Sequence, residues 1–368
     1  MAIQSGKFSV ALTIPVELFR PIMRALGVDR RALAVLARSC RFLYAEAMGP
    51  LYNSITDSSA SDADLHTAFL SSLTDAPHLG SLVSVYHSVG IIHHEQSAMW
   101  GLLHRAFGCM TNLKTLHLQT YGRIPASALL LNAPFQLEHL YLGTNAEGWP
   151  IATVLQQQRA LRYLYLQVQA GVSFPLACCP DLKELAGNRD TLEGLLPGRR
   201  VEHVVLVPAF INFMEERSDW DVEYSIAPAL MNIRTLSFGA FFDRPNLCVI
   251  VNHLTQLEQL ELVGLLENEL FLLEQIPSLR ELVVSFNWGS SFIPIPADAQ
   301  YRQHLVGGIF ASCPNLRYVE IACERGADNS EVWYERWSRD ELQAPPQFIL
   351  TNYVKCRRFS TNCVQCIN

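Results

Sequence analysis

A short apolar pattern, x-L-x-x-L-x-L, recurs through most of this chain of 368 residues. Clear copies are NLKTLHL at 112–118, QLEHLYL at 136–142 and QLEQLEL at 256–262. The first apolar position of the nine copies is occupied by Leu113, Leu137, Leu161, Leu182, Val201, Ile233, Leu257, Leu279 and Leu316. Successive copies are 19 to 24 residues apart, except for steps of 32 before Ile233 and 37 before Leu316, where we expect inserted loops. One such unit cannot bury its own apolar face, so the chain must fold as a stack of similar units.

The apolar positions within each copy predict the local structure. The last two alternate with outward residues, as in a strand with one buried face. Between the copies, segments at 99–110, 247–254, 265–276 and 301–313 place apolar residues three or four apart, which predicts helices packed on the strand layer. Period and pattern resemble the leucine-rich repeat. This resemblance implies an α/β solenoid with a parallel strand layer and outer helices at 76–325, and a C-terminal cap and tail at 326–368.

The first 56 residues follow a different pattern. In IPVELFRPIMRALG at 14–27, Leu18, Ile22 and Leu26 fall on one face of a helix. A second helix is predicted where Leu33, Leu36, Cys40 and Leu43 recur at steps of 3, 4 and 3. These spacings predict a short three-helix head at 10–56, separated from the repeats by a Ser- and Asp-rich linker and a leading helix at 57–75.

Charge is unevenly divided between the head and the rest of the chain. The formal net charge is -7, while residues 1–56 hold seven Lys or Arg against three Asp or Glu, or +4, which leaves -7 minus 4, or -11, for the remainder. An acidic body argues against nucleic acid as a partner, and a basic head favours docking on an acidic protein. No run of 18 apolar residues and no secretory signal is present, so we expect no membrane association and a cytoplasmic or nuclear location.

The head carries a second family resemblance. The residues Ile14, Pro15, Glu17, Leu18, Ile22, Leu26 and Leu33, followed by Cys40-Arg41-Phe42, resemble the F-box, particularly that of fungal F-box proteins with leucine-rich repeats. The resemblance implies the substrate-recognition subunit of a cullin-type (SCF) ubiquitin ligase. Its head would dock on a Skp-family adaptor of the cullin complex, and its repeats would hold a protein substrate. The adaptor-binding candidates are Pro15, Leu18, Ile22, Leu26, Leu33, Leu36 and Leu43.

An alternative function remains open for the head. The chain is then a leucine-rich-repeat interaction scaffold without a ligase role, and the head is a structural cap. A cap would bury Leu18, Ile22 and Leu26 against the repeat around 78–85, whereas a docking surface leaves several apolar residues of both helices exposed.

The outward strand positions are the candidate substrate-binding surface. A His/Tyr cluster comes first along the chain and an acidic stripe follows it. Tyr is a frequent binding anchor because its ring buries a large area at low entropic cost, and the Glu residues favour a basic substrate segment. On the alternative interpretation, a solvated sheet face simply tolerates these residue types. The candidates are His117, His139, Tyr141, Tyr163, Tyr165, His203, Glu261, Glu281 and Glu320.

The sequence offers no catalytic or metal-binding motif. No phosphate-binding loop, dinucleotide fingerprint or nucleophile elbow occurs. Cys363 and Cys366, with Cys356 before them, supply one ligand pair where a zinc site needs two. We therefore expect a protein that binds partners and is not an enzyme, with no cofactor and no metal.

Overall fold

A computed structural model describes residues 15–26, 29–57, 63–92, 98–121, 125–143, 146–207, 226–238, 246–263, 267–285, 299–325, 331–342 and 344–352. Within these ranges, thirteen strands form a single sheet in which spatial order follows chain order. The strands are β1 Ser54–Asp57, β2 Val85–Ile92, β3 Thr115–Tyr121, β4 His139–Gly143, β5 Tyr163–Leu166, β6 Glu184–Gly187, β7 His203–Leu206, β8 Thr235–Phe238, β9 Gln259–Val263, β10 Glu281–Ser285, β11 Tyr318–Arg325, β12 Glu331–Ser338 and β13 Gln347–Asn352.

The sheet is parallel from β1 to β11, and each strand pairs with the strand of the next repeat. Its register follows the sequence pattern, since Leu116 lies beside Leu140, which lies beside Leu164 and then Leu185. The last two strands, β12 and β13, run antiparallel and extend the sheet past the repeats. The sheet therefore begins at β1, before the predicted start of the array at 76, and continues into the predicted cap.

Helices connect the strands. The head consists of α1 Val16–Ala25, α2 Arg30–Ser39 and α3 Arg41–Asn53. The next helices are α4 Ala63–Asp75, α5 Pro77–Gly80, α6 Ala98–Cys109, α7 Pro150–Gln157 and α8 Arg189–Leu195. Shorter helices lie at Ala227–Leu230, Leu247–Ile250 and Glu267–Leu270, and a longer one, the C-terminal helix, at Ala299–Ser312. Turns of 3-10 helix lie at Ala126–Leu130, Val251–His253, Phe271–Gln275 and Arg339–Glu341.

One continuous apolar core runs between the sheet and the helices, from Met48 in α3 to Trp337 in β12. The nine apolar residues that open the sequence pattern are all buried in it. Leu137, Leu140 and Leu142 show the rule within one repeat, because all three side chains point into this core. Every repeat contributes a comparable set, so the core lengthens with each repeat.

The residue directly before each strand forms a second regular line, which we call the pre-strand row. Its backbone N–H and that of the next residue both donate to the same carbonyl one repeat earlier, as Glu138 and His139 do to Lys114. This repeated bond fixes the row residues side by side along one edge of the sheet. The row is Lys114, Glu138, Arg162, Lys183, Glu202, Arg234, Glu258, Arg280 and Arg317.

Candidate protein-interaction site

Outward side chains of the parallel strands form straight columns because the strands are in register. The middle column runs His87, His117, Tyr141, Tyr165, Ala186, Val205, Ser237, Glu261, Val283 and Glu320. A neighbouring column contains His139, Tyr163, Glu184, His203 and Glu281. The structure thus brings five of the six predicted His and Tyr residues together on strands β3 to β5, whereas His203 lies on β7, and it adds His87 of β2, which was not predicted.

The His and Tyr rings stack along these columns. The ring centroids of His87 and His117 are 3.8 Å apart, as are those of His117 and Tyr141. The ring centroids of Tyr141 and Tyr165 are 4.2 Å apart. In the next column, His139 and Tyr163 stack at 4.2 Å with nearly parallel planes. Neighbouring strands are about 4.8 Å apart, which places in-register rings at stacking distance. We call these six residues the aromatic ladder.

The ladder is only partly exposed to solvent. Tyr163 is 38% exposed and His139 and Tyr141 are half-buried, whereas His117 and Tyr165 are buried. Burial, with His87 as a second cause, lowers the pKa of His117 to about 3, and burial also lowers the pKa of His139. Both rings therefore favour the neutral form at pH 7, so His117 and His139 offer flat aromatic area and hydrogen-bonding groups without positive charge.

An apolar cluster continues the ladder on the same outward face. Tyr165, Ala186 and Val205 are buried together there, with Tyr141 and Val207 packed against them. The sequence pattern marks these positions as outward, yet an outward face is expected to be polar, so the cluster was not predicted. The signal was present in the alignment of the copies, where Tyr, Ala and Val occupy the same position in three consecutive repeats.

The predicted acidic stripe is corrected at two of its three residues. Glu261 is buried and accepts a 2.7 Å hydrogen bond from the Ser237 hydroxyl. Glu320 is buried and accepts a 2.6 Å hydrogen bond from Nε of Arg336, a residue of the antiparallel strand β12. Only Glu281 is half-buried at the surface. An open surface for a basic segment is therefore absent at Glu261 and Glu320, because the fold supplies their partners.

The head has a core of its own, formed by Phe19, Met23, Leu33, Leu43 and Ala47. Leu33 and Leu43 were predicted as surface docking residues, and the structure corrects this because three helices need an interior that these two side chains help to fill. Leu26 and Leu36 are half-buried against the same core, and Pro15 is exposed.

Five large apolar side chains of the head remain exposed. Leu18 and Ile22 on α1 are 50% and 39% exposed, as the docking interpretation predicted. Val35 on α2 is 63% exposed, and Phe42 and Tyr44 at the start of α3 are also exposed. The last three were missed, because Val35 lies one residue from a core-facing position and the α3 pattern is weakly amphipathic. We call these five side chains the head surface.

Neither a metal-binding cluster nor a membrane-spanning helix occurs among the described residues. In the part of the chain that the structure describes, no group of three or more His, Cys, Asp or Glu residues is placed to hold a metal ion. Cys356, Cys363 and Cys366 lie outside the described residues. None of the described helices is long and apolar enough to cross a membrane.

Comparisons with known proteins give little beyond this geometry. No family model and no curated protein matches the chain. An internalin (inlF) from Listeria monocytogenes is 17% identical over 72% of this chain and 69% of that chain, with a TM-score of 0.41. The functional domain of InlJ from Listeria monocytogenes is 11% identical over 83% of this chain and 78% of that chain, with a TM-score of 0.25. The assignment as a leucine-rich-repeat α/β solenoid rests on the register and core of the sheet itself.

Proposed function

We propose that this chain is the substrate-recognition subunit of a cullin-type (SCF) ubiquitin ligase, with an F-box-like head that docks on a Skp-family adaptor. The observation that carries the proposal is the head surface. A structural cap would bury Leu18 and Ile22 against the first repeats, yet both side chains are exposed. Exposed large apolar side chains on three consecutive short helices are a typical mark of a protein-binding surface.

The charge of the head supports an acidic partner. Arg24, Arg31, Arg38 and Arg41 are all exposed on the same three helices that carry the head surface. Apolar anchors surrounded by arginines fit an adaptor that offers an apolar groove with acidic walls. The rest of the molecule is acidic, so the head is the region to which such a partner is drawn.

The array supplies the second binding surface that a receptor needs. Within it, the aromatic ladder offers partly exposed Tyr163, Tyr141 and His139, which are suitable anchors for a protein substrate. The receptor itself would carry out no chemistry. Its contribution is to raise the effective concentration of a substrate lysine near a ubiquitin-loaded enzyme held by other subunits.

The test is binding of the full chain to a purified Skp-family adaptor, compared with a Leu18→Ala/Ile22→Ala variant. Loss of both anchors is expected to weaken binding roughly thirtyfold, corresponding to about 2 kcal/mol. Leu176→Ala is the matched control, because Leu176 is an apolar residue of the array with 72% exposure. Circular dichroism of all three proteins verifies the fold. Absence of wild-type binding at micromolar adaptor would overturn the proposal.

A second candidate function is that of a leucine-rich-repeat scaffold without a ligase. It is favoured by Met48, which belongs to α3 and lies in the main core, so that the head is structurally continuous with the array. A scaffold would bind its partner through the aromatic ladder and would not bind the adaptor. Ubiquitination assays that combine the chain with adaptor, cullin and charged enzyme separate the two, since only a receptor assembles with all of them.

A further inference from the structure

A groove of about 890 Å³ lies along the pre-strand edge of the last third of the sheet. It is lined by the row residues Arg234, Glu258, Arg280 and Arg317, and by Arg339, which directly follows β12. Asp340 adds a second carboxylate, so the charged side chains of the groove are four arginines and two acids. On a molecule with a net charge of -7, this is a local concentration of positive charge.

Two ion pairs lie along the same row in the first half of the array. Lys114 pairs with Glu138 at 2.8 Å, and Lys183 pairs with Glu202 at 2.9 Å. In that half, a basic residue and the acid of the next repeat form an ordinary exposed ion pair. Lys114 and Lys183 of the row therefore each have an acidic partner in the next repeat.

In the groove this compensation fails. Arg234, Arg280 and Arg317 are exposed, and within the described ranges none of the three forms an ion pair or a side-chain hydrogen bond. Glu258 stands between Arg234 and Arg280 in the row, but it is not within ion-pair distance of either. Arg317 follows Arg280 directly, its N–H donating to the Arg280 carbonyl at 2.7 Å. Two guanidinium groups on adjacent strands repel each other unless an anion lies between them.

The fourth arginine shapes the groove and is not available for a ligand. Arg339 donates from Nε to the Leu316 carbonyl at 2.7 Å, and from Nη2 to the carbonyls of Phe310 and Cys313. It is thus fixed at the end of the C-terminal helix. The remaining lining includes Pro277, Pro314 and the ring of Tyr318, which give a rigid, partly apolar surface beside the three exposed arginines.

We propose that this groove binds an acidic polypeptide segment of a partner protein, whose carboxylates pair with Arg234, Arg280 and Arg317. Arginine suits this role because its planar guanidinium can bind a carboxylate through two parallel hydrogen bonds. This site lies apart from both the head surface and the aromatic ladder, and it stands whether or not the head binds an adaptor.

The test measures binding of a fluorescein-labelled oligo-glutamate peptide to the full chain by fluorescence anisotropy. We expect saturable binding that weakens as salt is raised. The Arg280→Glu/Arg317→Glu variant is expected to lose about tenfold or more in affinity. Arg105→Glu/Arg159→Glu is the matched control, because it makes the same change in net charge at exposed residues outside the groove. Equal losses in both variants would show general charge attraction and overturn the site.

Two further arms keep the result decisive. Arg280→Gln/Arg317→Gln removes the charges without reversing them, and an intermediate loss of affinity is expected even if the double Glu variant does not fold. A single-stranded oligonucleotide of equal charge is tested in parallel. If the oligonucleotide binds more tightly than the peptide and with the same dependence on Arg280 and Arg317, the ligand of the groove is nucleic acid and the proposal of an acidic protein segment is wrong. If the peptide does not bind at millimolar concentration, the proposal is also rejected.

Discussion

The two ends of the array are completed in different ways. At the C-terminal end, strands β12 and β13 add to the sheet, and Arg302 of the C-terminal helix binds Glu335 of β12 through two hydrogen bonds of 2.7 and 2.6 Å. At the N-terminal end, three helices enclose five core residues and leave the head surface exposed. At the C-terminal end, the buried Glu335 carboxylate is paired within the chain, while Phe348 of the edge strand β13 is 61% exposed. At the N-terminal end, the described residues leave the apolar side chains of the head surface uncovered.

The largest effect is expected from breaking the C-terminal ion pair. Arg302→Leu leaves the buried Glu335 carboxylate without its partner, which costs about 3–5 kcal/mol. Hydrogen exchange, measured at increasing urea concentrations, gives the unfolding midpoint of the last repeats. As a control, Lys114→Ala removes one partner of an exposed pair, and a change below about 1 kcal/mol is expected. Equal destabilisation by the two variants would contradict the contrast between the ends.

The head core should respond next. Leu33 is fully buried among Phe19, Met23 and Leu43, so Leu33→Ala is expected to cost about 2–5 kcal/mol of local stability. Hydrogen exchange should quicken in α1 to α3 and stay unchanged in β4 to β9 if the head unfolds as its own unit. Val35→Ala, two residues away and largely exposed, should change stability by no more than about 0.5 kcal/mol. Faster exchange throughout the array would show that the head is instead part of one cooperative unit.

Acid should weaken the array at the aromatic ladder. The pKa of His117 is lowered to about 3 in the folded chain, so above about pH 6.5 both folded and unfolded chains hold this ring neutral. Below that pH, the unfolded chain takes up a proton that the folded chain refuses, and stability falls by up to about 1.4 kcal/mol per pH unit. His117→Phe keeps a ring between His87 and Tyr141 and removes this titration. The urea midpoint of the variant should therefore vary less between pH 7 and pH 5 than that of the wild type, and identical slopes would reject His117 as the source.

The smallest effect is expected at the ion pair of the head. Arg20 on α1 binds Glu46 on α3 at 3.0 Å, and the Arg20 side chain is mostly exposed. Arg20→Ala should cost at most about 1 kcal/mol, with less effect at high salt. Thermal melting of the variant at low and high salt measures this. If Arg20→Ala lowered stability as much as Arg302→Leu does, the exposed ion pair of the head would matter as much as the buried pair at the C-terminal end, and the contrast between the two ends would be wrong.

The repeat structure could be predicted from the sequence because its signal is local and repeated. Nine pattern positions identified the buried residues of nine repeats, and the His/Tyr cluster followed from counting alternate positions. The connecting helices were less predictable. The segment 265–276 is a short helix at Glu267–Leu270 followed by 3-10 turns at Phe271–Gln275, because packing on the strand layer decides the geometry of such short segments.

The parts that could not be predicted depend on contacts between distant residues. In α1, Leu18 and Ile22 are exposed while Phe19 and Met23 are buried, and both pairs have the same helical spacing, so spacing alone cannot tell inside from outside. Glu320 was expected to be open because its partner Arg336 lies on an antiparallel strand that the repeat pattern does not include. The unpaired arginines of the groove likewise emerge only when the row is assembled in space.

The spacing of the in-register columns also determines which secondary structure a bound peptide needs in order to contact successive repeats. Side chains of one column recur about every 4.8 Å across the sheet. An extended peptide lying across the strands presents a side chain to the same face about every 6.8 Å, so it falls out of step within two repeats. An α-helix in the same orientation advances about 5.4 Å per turn and stays close to one contact per repeat. A helical ligand can therefore contact the in-register pair His139 and Tyr163 with successive turns, whereas an extended one meets them irregularly.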